Sequence, residues 1–173
     1  MKTTEEYIKE VYDFACPAVD SIFVEKEQIG AKLYRFTVHA DPDGQRLLVG
    51  KGGGTSKAVK VLASIQIKGV YSGGIISTVH INKGDDDPVG KEFAQYPTLT
   101  TEELRSHVDK VIKPLVSNKT DLNATAVADL AIIEVYLDSG DKDIFSIIKP
   151  YLNSIIRIAG VARGQEINLN VSG

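Results

Sequence analysis

The sequence predicts an α+β protein made of two related units, each a small three-stranded sheet packed by helices. One reason is an internal repeat: Thr-Thr-Glu-Glu occurs at 3–6 and again at 100–103, 97 positions apart. The segments 36–48 and 133–145 keep the same offset, and both have the pattern of a strand, an Asp-rich turn and a short apolar helix. The other reason is that apolar spacing alternates between the helical and the strand period, which is typical of α+β chains.

The first unit begins with a helix whose cap is visible in the sequence. Thr3 is followed three residues later by Glu6, which is the pattern of a capping box. Pro17 limits this helix, and later segments follow strand or helix periodicity in turn. The predicted elements are, in order, helix 4–15, strands 20–28 and 32–39, short helix 43–49, a glycine loop at 50–54, longer helix 55–67 and strand 75–82.

The second unit follows the same plan. Thr100 and Glu103 form the second capping box, and 166–171 is an alternating last strand. An acidic stretch marked by glycine and proline separates the units. The predicted division is therefore 1–83, a linker at 84–99, and 100–173.

Composition limits the class of protein. The chain has 173 residues, 43% of them apolar and 25% charged, with a formal charge of −3. No run approaches the roughly 20 apolar residues of a membrane span, and the polar, acidic N-terminus predicts neither a signal nor a transit peptide. Cys16 is the single cysteine, which excludes an internal disulfide and a cysteine metal cluster. We expect a cytoplasmic protein without membrane contact. The acidic balance argues against a general nucleic-acid binder.

The glycine loop matches neither of two common nucleotide-binding motifs. Its sequence is Gly50-Lys51-Gly52-Gly53-Gly54. A Walker loop requires Ser or Thr directly after the lysine, where Gly52 stands. A dinucleotide fingerprint requires glycine at position 55, where Thr55 stands. A tight turn between two helices remains, either as a plain connection or as a turn that lets a sugar–phosphate backbone come close.

The charge around this loop favours the second interpretation. Residues 44–84 contain no Asp or Glu, and their basic residues are Arg46, Lys51, Lys57, Lys60, Lys68 and Lys83. The spacing of Lys57, Lys60, Ser64 and Lys68 places them along one helix face, while Ala58, Val61, Leu62 and Ile65 are expected on the buried side.

The stretch LLVGKGGGTSKAVKVL, residues 47–62, resembles the GxxG core of a KH domain. With the N-terminal helix and the strand YRFTVHADPDG, residues 4–82 look most like small bacterial KH RNA-binding proteins of type II topology. Two positions depart from the family pattern: Ser56 replaces an apolar residue, and Gly54 replaces what is often a basic one.

This resemblance implies a clamp on about four nucleotides of single-stranded RNA. Gly50, Gly52 and Gly53 would admit the backbone, and Lys51 would neutralise a phosphate. Arg46, Lys57 and Lys60 would flank the strand electrostatically. A groove beneath the bases would be formed by Leu47, Val49 and Ile76.

The resemblance also implies that the second unit is a degenerate KH-like repeat without the clamp. By this resemblance the counterpart of the glycine loop falls at 147–150, which is Ile-Ile-Lys-Pro without a glycine, and Pro150 suits the first turn of a following helix. Acidic residues crowd this half: Asp129, Glu134, Asp138, Asp141 and Asp143. We expect it to pack against the first unit, to form a homodimer or to bind a partner protein.

No enzyme, cofactor or metal site is predicted. His39, His80 and His107 lie far apart, and the consecutive Asp85–Asp87 point in different directions beside Gly84 and Pro88. The leading hypothesis is a non-catalytic binder of single-stranded RNA. The alternatives are a protein-interaction scaffold built on KH-like units, and binding of single-stranded DNA.

Overall fold

The computed structural model describes residues 3–19, 22–31, 33–40, 44, 47–48, 50, 53–70, 75–81 and 96–173, without the side chains of 68–70 and 75–81. The predicted α+β class is confirmed. In the first unit the elements are α1 (Thr4–Ala15), β1 (Phe23–Gly30), β2 (Leu33–His39), α2 (Gly54–Val70) and β3 (Ile75–Ile81). In the second they are α3 (Thr101–Val111), β4 (Asp121–Val127), β5 (Leu130–Tyr136), α4 (Lys142–Arg163) and β6 (Glu166–Ser172). Two 3-10 turns lie at Lys113–Leu115 and Ser139–Asp141.

Both predicted capping boxes are present. The hydroxyl of Thr3 accepts from the Glu6 N–H at 3.2 Å, and a Glu6 carboxylate oxygen accepts from the Thr3 N–H at 3.3 Å. Thr100 and Glu103 repeat the arrangement at 3.2 and 3.0 Å. Each box satisfies two backbone groups that a helix start would otherwise leave without partners.

The two sheets have the same topology. In each, the first strand is antiparallel to the second and the second is parallel to the third, so the orders are β1-β2-β3 and β4-β5-β6. β5 begins 97 residues after β2, at Leu130 against Leu33, whereas β6 begins only 91 residues after β3, at Glu166 against Ile75. The second unit is therefore shorter by six residues between its second and third strands.

The shortened segment forms a single helix, which corrects one prediction. Residues 147–150 are not a turn between two helices, and Pro150 does not lie in a first turn: α4 runs unbroken from Lys142 to Arg163 with Pro150 in its interior. Pro150 lies on the exposed side of the helix, and Ile148 and Leu152 on either side of it are buried, so packing of α4 outweighs the backbone hydrogen bond that proline cannot make. Without glycines, the backbone at 147–150 continued the helix instead of turning.

The two units share one hydrophobic core. Helix α1 packs against α2 of its own unit and against α3 and α4 of the other, and α4 also packs against α2. The buried apolar residues of both units form one cluster, whose largest fully buried members include Tyr7, Tyr12, Phe36, Phe145 and Ile148. Within Ser139–Arg163, an 18-residue window has a mean hydropathy of 1.3, and by length and composition this helix could cross a membrane. Here its buried residues belong to the shared core.

Each unit also caps a helix of the other. The last carbonyls of a helix have no partner within it. The Tyr7 hydroxyl of α1 donates to the carbonyl of Val111 at the end of α3, at 2.7 Å. The Arg163 guanidinium at the end of α4 donates to the carbonyl of Phe14 at the end of α1, also at 2.7 Å. The two acceptors, Phe14 and Val111, are 97 residues apart and hold equivalent places in the repeat.

Candidate nucleic-acid interface

The glycine turn immediately before α2 uses backbone angles that favour glycine. Gly50 has φ of +75° and Gly53 has φ of +76°. The Gly53 N–H donates to the Gly50 carbonyl at 3.2 Å, which closes a four-residue turn. The Ser56 hydroxyl donates to the Gly53 carbonyl at 3.1 Å. Ser56, one departure from the KH pattern, thus holds the turn against the first turn of α2.

The glycines differ in what lies beside them. A Cβ atom on Gly50 would lie 2.2 Å from the Thr55 hydroxyl, and Thr55 is 2% exposed. Cβ atoms on Gly53 or Gly54 would meet nothing within 4 Å. Gly50 is therefore required by packing inside the protein. Gly53 and Gly54 instead leave open space next to the start of α2, where another molecule's backbone could approach.

The start of α2 also differs from the other described helix starts in its charge. Acidic residues occupy the first turns of α1, α3 and α4, at Glu5 and Glu6, Glu102 and Glu103, and Asp143. The first turn of α2 has none. The partial positive charge at this N-terminus is therefore left without a carboxylate from its own first turn.

The two described basic side chains of α2 are not buried in the core, and the side chain of Lys68 lies outside the described set. Lys57 is exposed and Lys60 half-buried. The predicted buried side of α2 is correct for Ala58 and Leu62, but Val61 and Ile65 are only half-buried. Val59, Ala63 and Ile67 are fully buried in their place, so the face in contact with the core is rotated towards them.

The remaining predicted site residues are only partly placed. Leu47 is half-buried, and its carbonyl lies 3.6 Å from the Cys16 sulfur at the end of α1. Ile76 lies in β3 beside Tyr34 of β2, with its side chain outside the described set. Arg46, Val49, Lys51 and Gly52 lie outside the described residues. Burial raises the pKa of the Cys16 thiol to about 12, so it stays protonated.

A cavity of about 390 Å³ opens beside the glycine turn, and the sequence analysis did not predict it. Both units line it. The first contributes the end of α1 and the turn, and the second contributes the outer face of α4; Tyr96, from the predicted linker, completes the wall. Its lining includes Pro17, Leu47, Gly50, Gly54, Tyr96 and Val161.

Helical periodicity gave the one available signal for the α4 side of this cavity. Ser154, Ile158 and Val161 follow each other at three- and four-residue spacing, on the side opposite the buried Leu152 and Ala159. Nothing in the sequence connects them with residue 50, because the contact depends on how the units pack.

Two acidic residues of the second unit, Asp138 and Asp141, have structural roles at the 3-10 turn Ser139–Asp141. The Asp141 carboxylate accepts from the Ser117 N–H at 3.0 Å, the Ser117 hydroxyl at 2.7 Å and the Thr120 hydroxyl at 2.5 Å. Asp138 accepts from the Gly140 N–H at 3.0 Å. Within the described ranges, no group of three His, Cys, Asp or Glu residues is placed to hold a metal ion.

Comparison with known proteins adds little. No family model matches this sequence. No curated protein matches it either. Among solved structures, the crystal structure of APE1850 aligns with 99% of this chain and 100% of that chain, at 12% sequence identity and a TM-score of 0.30. A similarity this low supports no conclusion about fold or function.

Proposed function

We propose that this protein binds single-stranded RNA, without catalysis, through the glycine turn at 50–53 and the start of α2. The observation that supports this most is the open space beside Gly53 and Gly54, at a helix start with no acidic residue in its first turn. A phosphate there meets backbone N–H groups and the positive end of the helix. No Cβ atom stands in its way.

The resemblance to a KH GxxG core supports the same conclusion. Lys51 lies within the motif, and Lys57 and Lys60 follow in α2. One such clamp contacts only about four nucleotides, so we expect weak binding that falls steeply as salt increases. Useful affinity in the cell then requires a dimer, a second RNA-binding partner or multivalent RNA.

Gly54 provides a test that does not disturb the fold. A side chain there enters open space at the first residue of α2, and Asp at a helix start is favourable to the helix. Gly54→Asp therefore adds a negative charge where a phosphate would lie, and Gly54→Asn adds nearly the same volume without charge. We expect Gly54→Asp to bind labelled single-stranded RNA at least tenfold more weakly than Gly54→Asn in fluorescence anisotropy at low salt.

Lys57→Glu extends the test to α2, with Lys142→Glu at the exposed start of α4 as its control. Both remove one positive and add one negative charge, so only a local contact makes them differ. Equal binding by Gly54→Asp, Gly54→Asn and the parent protein would contradict the proposal and favour the protein-interaction scaffold. Labelled single-stranded DNA of the same sequence, measured in parallel, decides between RNA and DNA.

A further inference from the structure

The cavity between the units lies directly against the glycine turn. Gly50 and Gly54, which belong to the turn and to the start of α2, are part of its wall. A strand whose phosphate occupies the space beside Gly53 and Gly54 would therefore have one nucleotide at the mouth of this cavity. Its volume of about 390 Å³ is within the roughly 300–1,000 Å³ of small-ligand sites.

The lining has the composition of a site for a flat, partly apolar group. The described part of the wall is mostly aliphatic or small, and includes Ala15, Pro17, Ala18, Leu47 and Ile158. Tyr96 supplies an aromatic ring, and Val161 at the edge is 76% exposed, which is high for an apolar side chain. Bases of single strands bind by stacking on such aromatic rings beside apolar surface.

The only charge on this wall, among the described residues, is positive. Arg157 is exposed, lies on α4 one turn before Val161, and forms no ion pair with another described residue. A guanidinium in this place can contact a phosphate or stack on a base. Carboxylates are absent from the described lining, so the wall does not repel a nucleotide.

The wall is also held in place before any ligand arrives. The Tyr96 N–H donates to the Ala162 carbonyl of α4 at 3.0 Å, which fixes the position of Tyr96 on the second unit. On the other side, the Cys16 thiol lies 3.6 Å from the Leu47 carbonyl. A wall fixed in this way loses little conformational freedom when a ligand binds.

We infer that this cavity between the two units binds a nucleobase of the RNA strand whose phosphate lies at the glycine turn, with Tyr96 and Val161 contacting the base and Arg157 the adjoining backbone. This inference rests on the proposed function. It assigns the second unit a direct part in RNA binding although that unit has no glycine turn of its own.

The test uses the full chain, labelled single-stranded RNA and three variants, two of which have matched controls. Val161→Glu is compared with Ile147→Glu, another exposed aliphatic residue of α4, and Arg157→Glu with Lys149→Glu, another exposed cation of that helix. Tyr96→Leu removes stacking but keeps bulk. We expect Val161→Glu, Arg157→Glu and Tyr96→Leu each to weaken RNA binding roughly tenfold. The two control variants should bind RNA like the parent protein.

An abasic strand of the same length separates base contacts from backbone contacts. Tyr96→Leu should not weaken binding of this strand, while Gly54→Asp should weaken binding of both strands. If Gly54→Asp weakens RNA binding, but Val161→Glu and Arg157→Glu bind like their controls and Tyr96→Leu like the parent protein, the inference is overturned and the proposed function stands. If none of these variants changes binding, both are overturned.

Crosslinking covers the case in which Tyr96→Leu fails to fold. The parent protein, irradiated with 4-thiouridine RNA and digested with trypsin, should carry the nucleotide on Tyr96, in the peptide 92–105. A crosslink confined to peptides of the first unit would overturn the inference.

Discussion

At the scale of single residues, Gly50 and Gly53 share a backbone conformation but differ in their surroundings. Both have positive φ, which costs a side-chain-bearing residue about 1–2 kcal/mol. Only Gly50 faces a buried neighbour, Thr55, whose backbone nitrogen would lie 3.0 Å from an added Cβ atom. The turn thus combines one glycine required by the fold with another that leaves its outer side open.

This difference predicts unequal losses of stability. Gly50→Ala should lower the free energy of unfolding by about 2–4 kcal/mol, from positive φ and overpacking together, whereas Gly53→Ala should lower it by about 1 kcal/mol. Urea denaturation followed by circular dichroism measures both. Equal losses would mean that Thr55 yields to the new methyl group.

His107 should make stability depend on pH. It lies 4.9 Å from the Phe14 ring, between centroids, and its Nδ1 is buried without a hydrogen-bond partner among the described residues. Burial, followed by the charges of Arg163 and Lys110, lowers its pKa from 6.5 to about 4, against the opposing effect of Glu10 and Glu103. The unfolded chain therefore binds a proton more readily than the folded one.

The stabilising contribution of neutral His107 to the free energy of unfolding is fully present above pH 6.5 and is lost as pH falls towards 4. Because the ring is half-buried, we expect a loss of roughly 1–2 kcal/mol between pH 7 and pH 4 from this residue. His107→Gln cannot become charged, so the difference between its unfolding free energy and that of the parent should shrink or reverse over this range. If the unfolding free energies of His107→Gln and the parent keep a constant difference from pH 7 to pH 4, His107 is not the cause of the pH dependence.

At the scale of elements, the repeat allowed the strand and helix boundaries of the first unit to be predicted within a few residues. Capping boxes, Pro17 and strand alternation are local signals, and the structure follows them. The prediction is wrong at 147–150, where Pro150 suggests the start of a helix but lies inside α4. Proline signals a boundary only because it loses a backbone hydrogen bond and crowds the preceding turn, and packing of the faces on either side of Pro150 outweighs that loss in α4.

Replacing the proline inside α4 should stabilise the protein. Pro150→Ala restores the missing helical hydrogen bond, and we expect a gain of about 1–3 kcal/mol after the greater freedom of the unfolded chain is included. Pro114 is the control, since it lies at the start of a 3-10 turn where no helical bond is missing. Pro114→Ala should not stabilise, and thermal unfolding compares the two.

At the scale of the whole molecule, packing of the second unit against the first was one of the expectations, but the faces that meet could not be predicted from sequence. Periodicity identifies the apolar face of each helix but not which face it meets. The α1–α4 and α2–α4 contacts, and with them the cavity that includes Tyr96 and Arg157, follow from the packing of two faces far apart in the chain. Candidate residues in the glycine turn were found because motif and neighbours are contiguous in sequence.

The shared core and the crossed helix caps predict one unfolding transition for both units. Arg163→Met leaves the Phe14 carbonyl without its charged donor, and Tyr7→Phe leaves the Val111 carbonyl without a partner. We expect losses of about 2–4 and 1–2 kcal/mol. Urea curves from circular dichroism and tyrosine fluorescence should coincide for the parent and both variants. Two separate transitions would show that the units unfold independently.

The long separation of α2 and α4 along the chain has a consequence for synthesis on the ribosome. The faces of α1 and α2 that contact α4 are complete by residue 70, but α4 ends at Arg163. At a synthesis rate of roughly 5–20 residues per second, about 5–20 s pass before α4 is available to pack on these apolar faces. During that interval the nascent chain exposes an apolar surface, and we expect chaperones that bind nascent polypeptides to recognise it. A message truncated before the codons for α4 would release a product in which that surface is never covered.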